Sequence, residues 1–404
     1  MAFGGEGIAR PDGMVHFIPF TLPQEIVDVE QIKVKQRFIR AKALHIIQES
    51  PHRTTPSCPH FTMCGGCMLQ HATYAYQLDI KRQYIHDALL RIGNLSIDVP
   101  PVVPAKAQYS YRHHITASIH YHHVWSLCFT DLDKHLFSLQ TCLLFEKKEE
   151  TWINKAQKIL ASCSPLLPLQ GRLRILKSNA GYYGALSLQK HPSAKEHTAI
   201  RDALLPLFNE LWIEEMTPMP PTLPLSYGAF SCIYSPFAFL QNYPEQSTVM
   251  YASLPVLFQD NHTILDLYCG IGISSLFLAK AGKTVTGLEI HPHSLYCAQE
   301  NARKNQLSIS FICSSAEADT TQLLSQHRPD GVLVNPPKDG LSTVVVDALL
   351  ASPSLKTLVY ISCHPATLGR DIRRLQGFTI DYVQGYDMFP QTTHVETIVR
   401  LRRN

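Results

Sequence analysis

The chain has 404 residues, of which 45% are hydrophobic and 17% are charged, and its formal net charge at pH 7 is +3. This length and apolar content exclude a disordered or fibrous protein and predict two or three domains, while the modest net charge does not by itself indicate a nucleic-acid binder. No apolar run is long enough to cross a bilayer and the first thirty residues lack a leader pattern, so we expect a cytoplasmic protein whose 11 cysteines are reduced.

The amino-terminal segment, residues 1–53, predicts a small β-barrel of the oligonucleotide-binding (OB) type. It mixes the turn signals GGEG, PDG and LPQE with short, partly alternating apolar runs. Barrels of this kind often bind single-stranded nucleic acid. Residues 31–48 carry no acidic side chain and would supply the RNA-binding face through Lys33, Lys35, Arg37, Arg40 and Lys42. A merely solvated strand face is the alternative that this segment leaves open.

The stretch CPHFTMCGGCMLQH, residues 58–71, places three cysteines within ten positions. Cys64 and Cys67 have a spacing that suits either zinc or an iron–sulfur cluster, whereas Cys58, with five residues before Cys64, lies outside the usual zinc pattern. A fourth thiolate is missing nearby. A metal site, a redox site and a cysteine-rich turn therefore all remain possible from the spacing alone.

The region that follows predicts a helix and then a mixed α and β domain. The helix lies near residues 76–95, where apolar residues recur at helical spacing and Gly93 can end it. RLRILKS and YYGALSLQ predict strands, and EKKEETWINKAQKIL predicts a second helix. MTPMPPTLPL has four prolines in ten residues and predicts a linker. We therefore place domains at residues 1–53, 54–225 and 226–404.

The last domain predicts a parallel, doubly wound α/β sheet of the Rossmann-like kind. Strand patterns at TILDLY, TVTGLEI, ISFICS, GVLVN and TLVYISC alternate with helical SSLFLAKAG and HSLYCAQENARKN. In DLYCGIG, Asp266 precedes a turn that contains Gly270 and Gly272, and the next strand ends at Glu289, whose carboxylate can accept hydrogen bonds from ribose hydroxyls. This pattern favours S-adenosylmethionine over a nicotinamide cofactor, and a plain strand-turn-helix is the weaker alternative.

Two further strand ends predict a catalytic pair. Asn335 begins the Asn-Pro-Pro turn of VLVNPPKDGL, and Cys363 ends the strand of VYISCHPATLGRD. A lone cysteine is usually a core residue, but a thiolate at a strand end could add to C6 of a uracil and make C5 nucleophilic. Glu396, with His394 nearby, would then remove the C5 proton. Taken alone, Glu396 could equally be a solvated strand residue.

Four stretches together resemble the RNA uracil-5-methyltransferases, and more closely the branch that methylates 23S ribosomal RNA and carries an iron–sulfur cluster. They are GGEGIARPDG with its basic strand, CPHFTMCGGCMLQH, LDLYCGIG with NPPKDGL, and SCHPATLGRD with DMFPQTTHVE. The resemblance implies a TRAM barrel and a helix near 76–95 that packs on the catalytic domain. It implies Cys363 as nucleophile and Glu396 as base, with S-adenosylmethionine contacts from Gln241, Tyr268, Glu289 and Asn335. It also implies a [4Fe–4S] cluster held by Cys58, Cys64, Cys67 and Cys142.

The resemblance leaves several alternatives. They are a Cys3His zinc site that uses His71, a transfer RNA uracil as substrate, and a catalytically dead RNA-binding assembly factor. A cytosine substrate is disfavoured, because the related cytosine enzymes have a second cysteine in the proline motif, where this chain has Asn335. Two positions depart from the family pattern: His364 replaces an asparagine and Lys338 replaces an arginine. The chain also begins within the expected first hairpin, so the barrel would lack a strand or the start would be misassigned.

The expected partner is an unpaired or extruded uridine, because C6 of a stacked uracil is shielded from a thiol. Tyr111 and Arg112 are further candidates for RNA contacts. We expect a monomer, with no membrane and no protein partner.

Overall fold

The amino-terminal part of the chain forms a small open sheet. The computed structural model describes residues 1–147, 152–178, 180–214 and 221–404. The first four strands are β1 Gly7–Ala9, β2 Val15–Ile18, β3 Ile26–Val34 and β4 Phe38–Gln48. They pair in the order β1-β2-β4-β3, and no pairing joins β1 to β3 within the described residues. The predicted closed barrel is therefore not confirmed, since β1 and β2 are too short to wrap around the longer pair and close it.

The predicted helix after the cysteine stretch is present as α1, Tyr74–Arg91. One face of this helix is buried, since the side chains of Gln77, Lys81 and Ile85 on it are each 1% exposed or less. It packs on the helix at Pro365–Arg374 and on the strand at Phe378–Tyr386, both in the carboxy-terminal domain. A segment that is amino-terminal in sequence thus becomes part of the carboxy-terminal core.

The central domain is a six-stranded sheet covered on one face by two helices. Its elements are β5 His114–His122, β6 Val124–Thr130, β7 Leu136–Ser138, α2 Trp152–Ser162, β8 Gly171–Ser178, β9 Gly181–Leu188, α3 Ala194–Leu204 and β10 Glu210–Ile213. The strand order is β10-β9-β8-β5-β6-β7. Leu160, Ile153 and Ile200 from the helices pack with Leu173, Ile175 and Leu186 from the sheet into one apolar core.

Two sequence predictions in this region fall partly outside the described residues. Of the helix predicted across residues 146–160, the structure shows α2 from Trp152 onwards, and residues 148–151 lie outside the description. Of the linker predicted at residues 216–225, residues 216–220 lie outside the described residues. Residues 223–225 are not linker, because they begin β11 Leu223–Tyr227, which forms a hairpin with β12 Phe230–Tyr234.

The carboxy-terminal domain is a seven-stranded sheet with helices on both faces. Its elements are α4 Pro244–Tyr251, α5 Leu254–Leu257, β13 Thr263–Leu267, α6 Ile273–Lys280, β14 Thr284–Glu289, α7 Pro292–Lys304, β15 Ser310–Cys313, α8 Ala316–His327, β16 Gly331–Val334, α9 Thr343–Ala351, β17 Thr357–Ser362, α10 Pro365–Arg374, β18 Phe378–Tyr386 and β19 Glu396–Arg403. The strand order is β15-β14-β13-β16-β17-β19-β18. This is a mixed α/β fold with a Rossmann-like core.

Five strands, β13 to β17, pair in parallel, as predicted, and β18 runs in the same direction, but β19 lies between β17 and β18 and is antiparallel to both. The prediction of a wholly parallel sheet is therefore wrong for β19, because β18 returns directly as β19 without a helical crossover. Alternate residues along the strands enter different cores: Ile264 packs on the side of α6 and α7, and Leu265 on the side of α8 and α9. None of the helices in the described part of the chain is long and apolar enough to span a bilayer.

Candidate active site

The candidate site lies along the edge of the large sheet at which the parallel strands end. The glycine turn follows β13, Asn335 follows β16 and Cys363 follows β17. Glu396 is the first residue of β19. Because β19 is antiparallel to β17, the start of β19 lies at the same edge as the end of β17. Ser362 pairs with Thr397, so Cys363 and Glu396 each lie one residue beyond that pair. The edge at the carboxyl ends of parallel strands is where sheets of this type bind ligands.

A pocket beside this edge brings together four of the predicted cofactor contacts. Gln241, Tyr268, Gly270 and Asn335 line it, with aromatic walls from Phe239 and Tyr251. The mixture of aromatic surface with amide, hydroxyl and backbone groups fits a nucleoside bearing a charged amino-acid tail.

The glycine turn is shaped by backbone conformation and by Glu289. Gly270 and Gly272 have φ values of +57° and +82°, and a Cβ atom on Gly272 would lie 3.0 Å from the Cβ of Ala298. The Glu289 carboxylate accepts hydrogen bonds from the backbone N–H groups of Gly270 at 3.0 Å and His291 at 2.8 Å. Each oxygen keeps a lone pair for a further donor. Glu289 thus fixes the turn, and a contact with a ribose remains a prediction.

Asp266 lies beneath the pocket instead of lining it. It is fully buried, and one carboxylate oxygen accepts hydrogen bonds from the hydroxyls of Ser274 at 2.7 Å and Ser275 at 2.6 Å. Burial raises the pKa of Asp266 to about 6, although the two hydroxyls oppose the shift. Its contacts tie the end of β13 to the first turn of α6, so the structure places Asp266 and Gly272 as supports of the turn.

Cys363, Glu396 and Lys338 form the reactive end of the site. Glu396 is 3% exposed, and one of its oxygens has no hydrogen-bond partner. Burial raises its pKa to about 7, and the nearby Lys338 ammonium opposes the shift. Burial likewise raises the pKa of the Cys363 thiol to about 11, the Glu396 carboxylate adds to the rise and Lys338 opposes it. A carboxyl group that titrates near neutral pH beside a thiol is suited to accept and release protons.

His364 shows how the chain accommodates one departure from the family pattern. Its Nδ1 accepts a hydrogen bond from the backbone N–H of Thr367 at 3.2 Å and caps α10. An asparagine side chain at a helix start makes the same type of contact. Burial, with Lys338 and Arg370, lowers the pKa of His364. The histidine therefore serves as a neutral cap directly after the candidate nucleophile.

Lys338, the second departure, is exposed. Its charge acts on Cys363, His364, His394 and Glu396, which places the ammonium near all four. Burial lowers the pKa of His394 to about 4, and Lys338 contributes in the same direction, so this imidazole is neutral at pH 7. The exposed Lys338 ammonium thus lies beside the site, where an RNA phosphate or a polarised carbonyl could contact it.

The four candidate metal ligands converge in the structure. Cys58, Cys64, Cys67 and Cys142 line a single small cavity. The backbone N–H of Gly66 points at the sulfur of Cys64, at 3.4 Å, and Gly65 donates to the carbonyl of Thr130 at 3.2 Å, which attaches the cysteine stretch to the end of β6. His71 does not line this cavity; its ring packs against Phe20 and Phe61. The zinc alternative with His71 therefore gains no support from the geometry.

These cysteines share a cavity but do not have the arrangement of a metal-ion site. Across the residues described, no group of three or more His, Cys, Asp or Glu side chains is arranged to hold a metal ion. In an iron–sulfur cluster each thiolate binds a different iron, so the sulfurs stand farther apart than around one zinc. Four thiols around one cavity are the donor set that such a cluster requires, and the residues fit that group.

The candidate RNA contacts have different surroundings. Lys33, Lys35, Arg37, Arg40 and Lys42 are all exposed on β3, β4 and the turn between them. Tyr111, by contrast, is 5% exposed, stacks on Tyr243 and donates its hydroxyl to the carbonyl of Pro390 at 3.1 Å. Its polar group is used inside the protein, so the structure does not present Tyr111 to RNA. The basic strand remains the stronger candidate.

Comparison with known proteins points to one group. Residues 237–404 match the family model described as tRNA (uracil-5-)-methyltransferase. An uncharacterized RNA methyltransferase of Protochlamydia amoebophila is 36% identical over 426 residues, which cover all of this chain and 96% of the relative. An uncharacterized RNA methyltransferase of Bacillus cereus is 31% identical and covers 99% of this chain and 94% of the relative.

The fold is shared with a solved structure. The tRNA (uracil-54, C5)-methyltransferase of Pyrococcus abyssi, in complex with S-adenosyl-L-homocysteine, matches with a TM-score of 0.72 and 21% sequence identity. The match covers 98% of this chain and 97% of that chain. The similarity therefore extends across all the domains and concerns their architecture.

Proposed function

Since this chain belongs to the RNA methyltransferase family that carries the tRNA (uracil-5-)-methyltransferase domain, we propose that it methylates C5 of a uridine in RNA and uses S-adenosylmethionine as methyl donor. The observation that carries the proposal is the meeting of Cys363 and Glu396 at the sheet edge, beside the pocket lined by Gln241, Tyr268 and Asn335. A thiol, a carboxyl group of raised pKa and a pocket lined by aromatic, amide and backbone groups are the parts that this reaction needs.

The reaction begins at Cys363. The thiol releases its proton to solvent, the thiolate adds to C6 of the uracil, and the electrons of the C5–C6 double bond move towards C4 and its oxygen. S-adenosylmethionine, when bound, would supply the methyl group on a positively charged sulfonium, so that C5 takes up the methyl group and a neutral thioether would leave. Glu396 next accepts the proton from C5, the electron pair restores the C5–C6 double bond, and the carbon–sulfur bond to Cys363 breaks. The enzyme thiolate is regenerated.

The uridine must leave its stack to reach this site. Glu396 is buried and Cys363 is half-buried at the sheet edge, so a base held within a helix could not bring C6 to the sulfur. We therefore propose that the uridine is flipped into the site. The exposed cations of β3 and β4 would hold the RNA backbone from the amino-terminal sheet, for which a TRAM-like role is proposed.

As substrate we propose 23S ribosomal RNA. The convergence of four cysteines supports this choice, because the sequence resembles the iron–sulfur branch that acts on that RNA. Transfer RNA is the rival substrate, and the name of the matching family model favours it.

The test is to map 5-methyluridine in both RNAs from cells that lack the protein. Loss of one or more 5-methyluridines from 23S RNA, restored by the wild-type gene and not by Cys363→Ala, is the expected result. Loss from transfer RNA alone would assign the rival substrate. Unchanged 5-methyluridine in both RNAs would overturn the proposed function.

We further propose that Cys58, Cys64, Cys67 and Cys142 hold a [4Fe–4S] cluster. When bound, such a cluster would tie the cysteine stretch to the segment that follows β7, since Cys142 lies there. No step of methyl transfer depends on it. Its contribution would be structural, because four bonds to sulfur replace contacts that a short loop cannot make alone.

Anaerobic purification is expected to give a brown protein with about four irons per chain. Cys142→Ser should lower the iron content and the visible absorbance strongly, because one iron loses its thiolate. Cys163→Ser is the matched control: this cysteine follows α2, is half-buried like Cys142 and does not line the cavity. A colourless wild-type protein with one zinc per chain would contradict the cluster assignment.

A further inference from the structure

Helix α1 lies between the two segments that carry the catalytic pair. On one side it packs closely on α10, whose first residue, Pro365, comes two positions after Cys363. The contact is so close that a Cβ atom on Gly369 would lie 2.6 Å from the carbonyl oxygen of Ala88. On the other side α1 contacts residues 387–395, the loop between β18 and β19, which leads directly into Glu396.

The first link between α1 and this loop is a buried ion pair. The Lys81 ammonium and the Asp387 carboxylate are both 0% exposed and lie 2.6 Å apart. Lys81 also donates to the carbonyl of Phe389 at 2.9 Å. The same oxygen of Asp387 accepts from the backbone N–H of Phe389 at 3.2 Å. Because an unpaired charge is strongly disfavoured at such depth, these groups hold the start of the loop against the helix.

The second link is a reciprocal pair of glutamine contacts. Gln77 accepts a hydrogen bond from the backbone N–H of Gln391 at 3.0 Å and donates to the side-chain oxygen of Gln391 at 2.9 Å. Gln77 also donates to the carbonyl of Ala72 at 3.0 Å, and the carbonyl of Gln391 accepts from the N–H of Leu69 at 3.1 Å. The middle of the loop is thus fixed by α1 and by the end of the cysteine stretch.

Gln391 is also strained. Its φ is +71°, in the left-handed region that residues other than glycine rarely adopt. Such a conformation persists only where the surrounding contacts determine it. Here the surrounding contacts are those of Gln77 and Leu69, and both partners are themselves buried. Without Gln77, the backbone five residues before Glu396 would lose the contacts that balance its strain.

We propose that Gln77 and Lys81 are positioning residues for this reaction: by holding the 387–395 loop, they set the place of the Glu396 carboxylate relative to the uracil on Cys363. The inference rests on the proposed function. Cys363 directly follows β17, whereas Glu396 is the first residue of β19 and comes directly after the loop. Loosening the loop should therefore slow removal of the C5 proton much more than addition of the thiol.

Gln77→Met tests the proposal, because methionine keeps the length of the side chain and removes its hydrogen bonds. In single-turnover reactions with uracil-containing RNA, the covalent protein–RNA adduct is expected to form at a rate close to that of wild type and to decay about tenfold more slowly or worse. The double variant Lys81→Met with Asp387→Leu replaces the buried ion pair by apolar groups. It should likewise slow adduct decay more than adduct formation. Leu160→Ala is the control, since it destabilises the core beneath α2 without touching the loop.

A second readout does not depend on activity. Amide hydrogen exchange in residues 387–395 is expected to accelerate in Gln77→Met and to match wild type in Leu160→Ala. Equal slowing of adduct formation and decay, or unchanged exchange in the loop, would overturn the positioning role. If the wild-type protein itself forms no adduct, the proposed function fails, and the exchange measurement still decides whether Gln77 holds the loop.

Discussion

Replacement of Cys363 by alanine is expected to reduce methyl transfer to RNA by about 10⁴-fold or more, because the variant lacks the thiol that lies beside Glu396 and adds to C6 of the uracil. The variant should also form no covalent complex with RNA on denaturing gels. Cofactor binding should survive, since Cys363 does not line the pocket formed by Gln241, Tyr268 and Asn335. Transfer of a labelled methyl group and calorimetric titration with S-adenosylmethionine measure the two effects separately.

The control for this variant is Cys163→Ala, which removes another half-buried thiol from the central domain. It should transfer methyl groups at the wild-type rate. Retention of full activity in Cys363→Ala would show that the reaction proceeds without this nucleophile, and the proposed addition of Cys363 to C6 would be wrong.

Replacement of Glu396 by glutamine is expected to trap the reaction at the adduct. Glutamine has almost the same shape but cannot take the C5 proton, so decay of the adduct should slow by about 10²–10⁴-fold while its formation continues. A covalent complex between the variant and RNA should therefore accumulate and carry the transferred methyl group. Gel analysis of labelled RNA over time gives both rates.

The pH dependence supplies an independent check on Glu396. Only the ionised carboxylate is a base, and burial raises its pKa to about 7. In the wild type the decay rate should rise with pH, by about tenfold per unit well below the pKa, and level off above it. Glu210→Gln, an exposed change on β10, should keep this profile. If the rate of adduct decay in the wild type does not vary between pH 5 and 8, Glu396 is not the base.

The sequence was most informative about elements whose identity depends on local pattern. Strand, glycine turn and helix around Asp266 follow from apolar periodicity and from two glycines at positions where the backbone has positive φ. The antiparallel direction of β19 was missed, because a strand pattern does not state which way the chain runs. The closed amino-terminal barrel was expected for a related reason: strand signals give the number of strands and not their pairing.

The same limit explains what was missed at the site. Cys363, Glu396 and Asn335 follow recognisable strands or motifs, so their residues could be named. Gln77 and Lys81 gave no such signal, since polar residues within a helical pattern normally face water. Their partners lie 314 and 306 positions away along the chain. Only the folded arrangement brings the helix and the loop together.

The position of α1 also determines which segment of this protein could be used as a separate catalytic domain. The segment that matches the family model, residues 237–404, omits α1 altogether. A fragment cut there would leave Asp387 without its cation and Gln391 without its glutamine, and it would expose the apolar surface that Ile85 and Leu89 cover. The smallest fragment that keeps these contacts is therefore discontinuous in sequence. A chimera that uses this catalytic domain must include α1 together with residues 237–404.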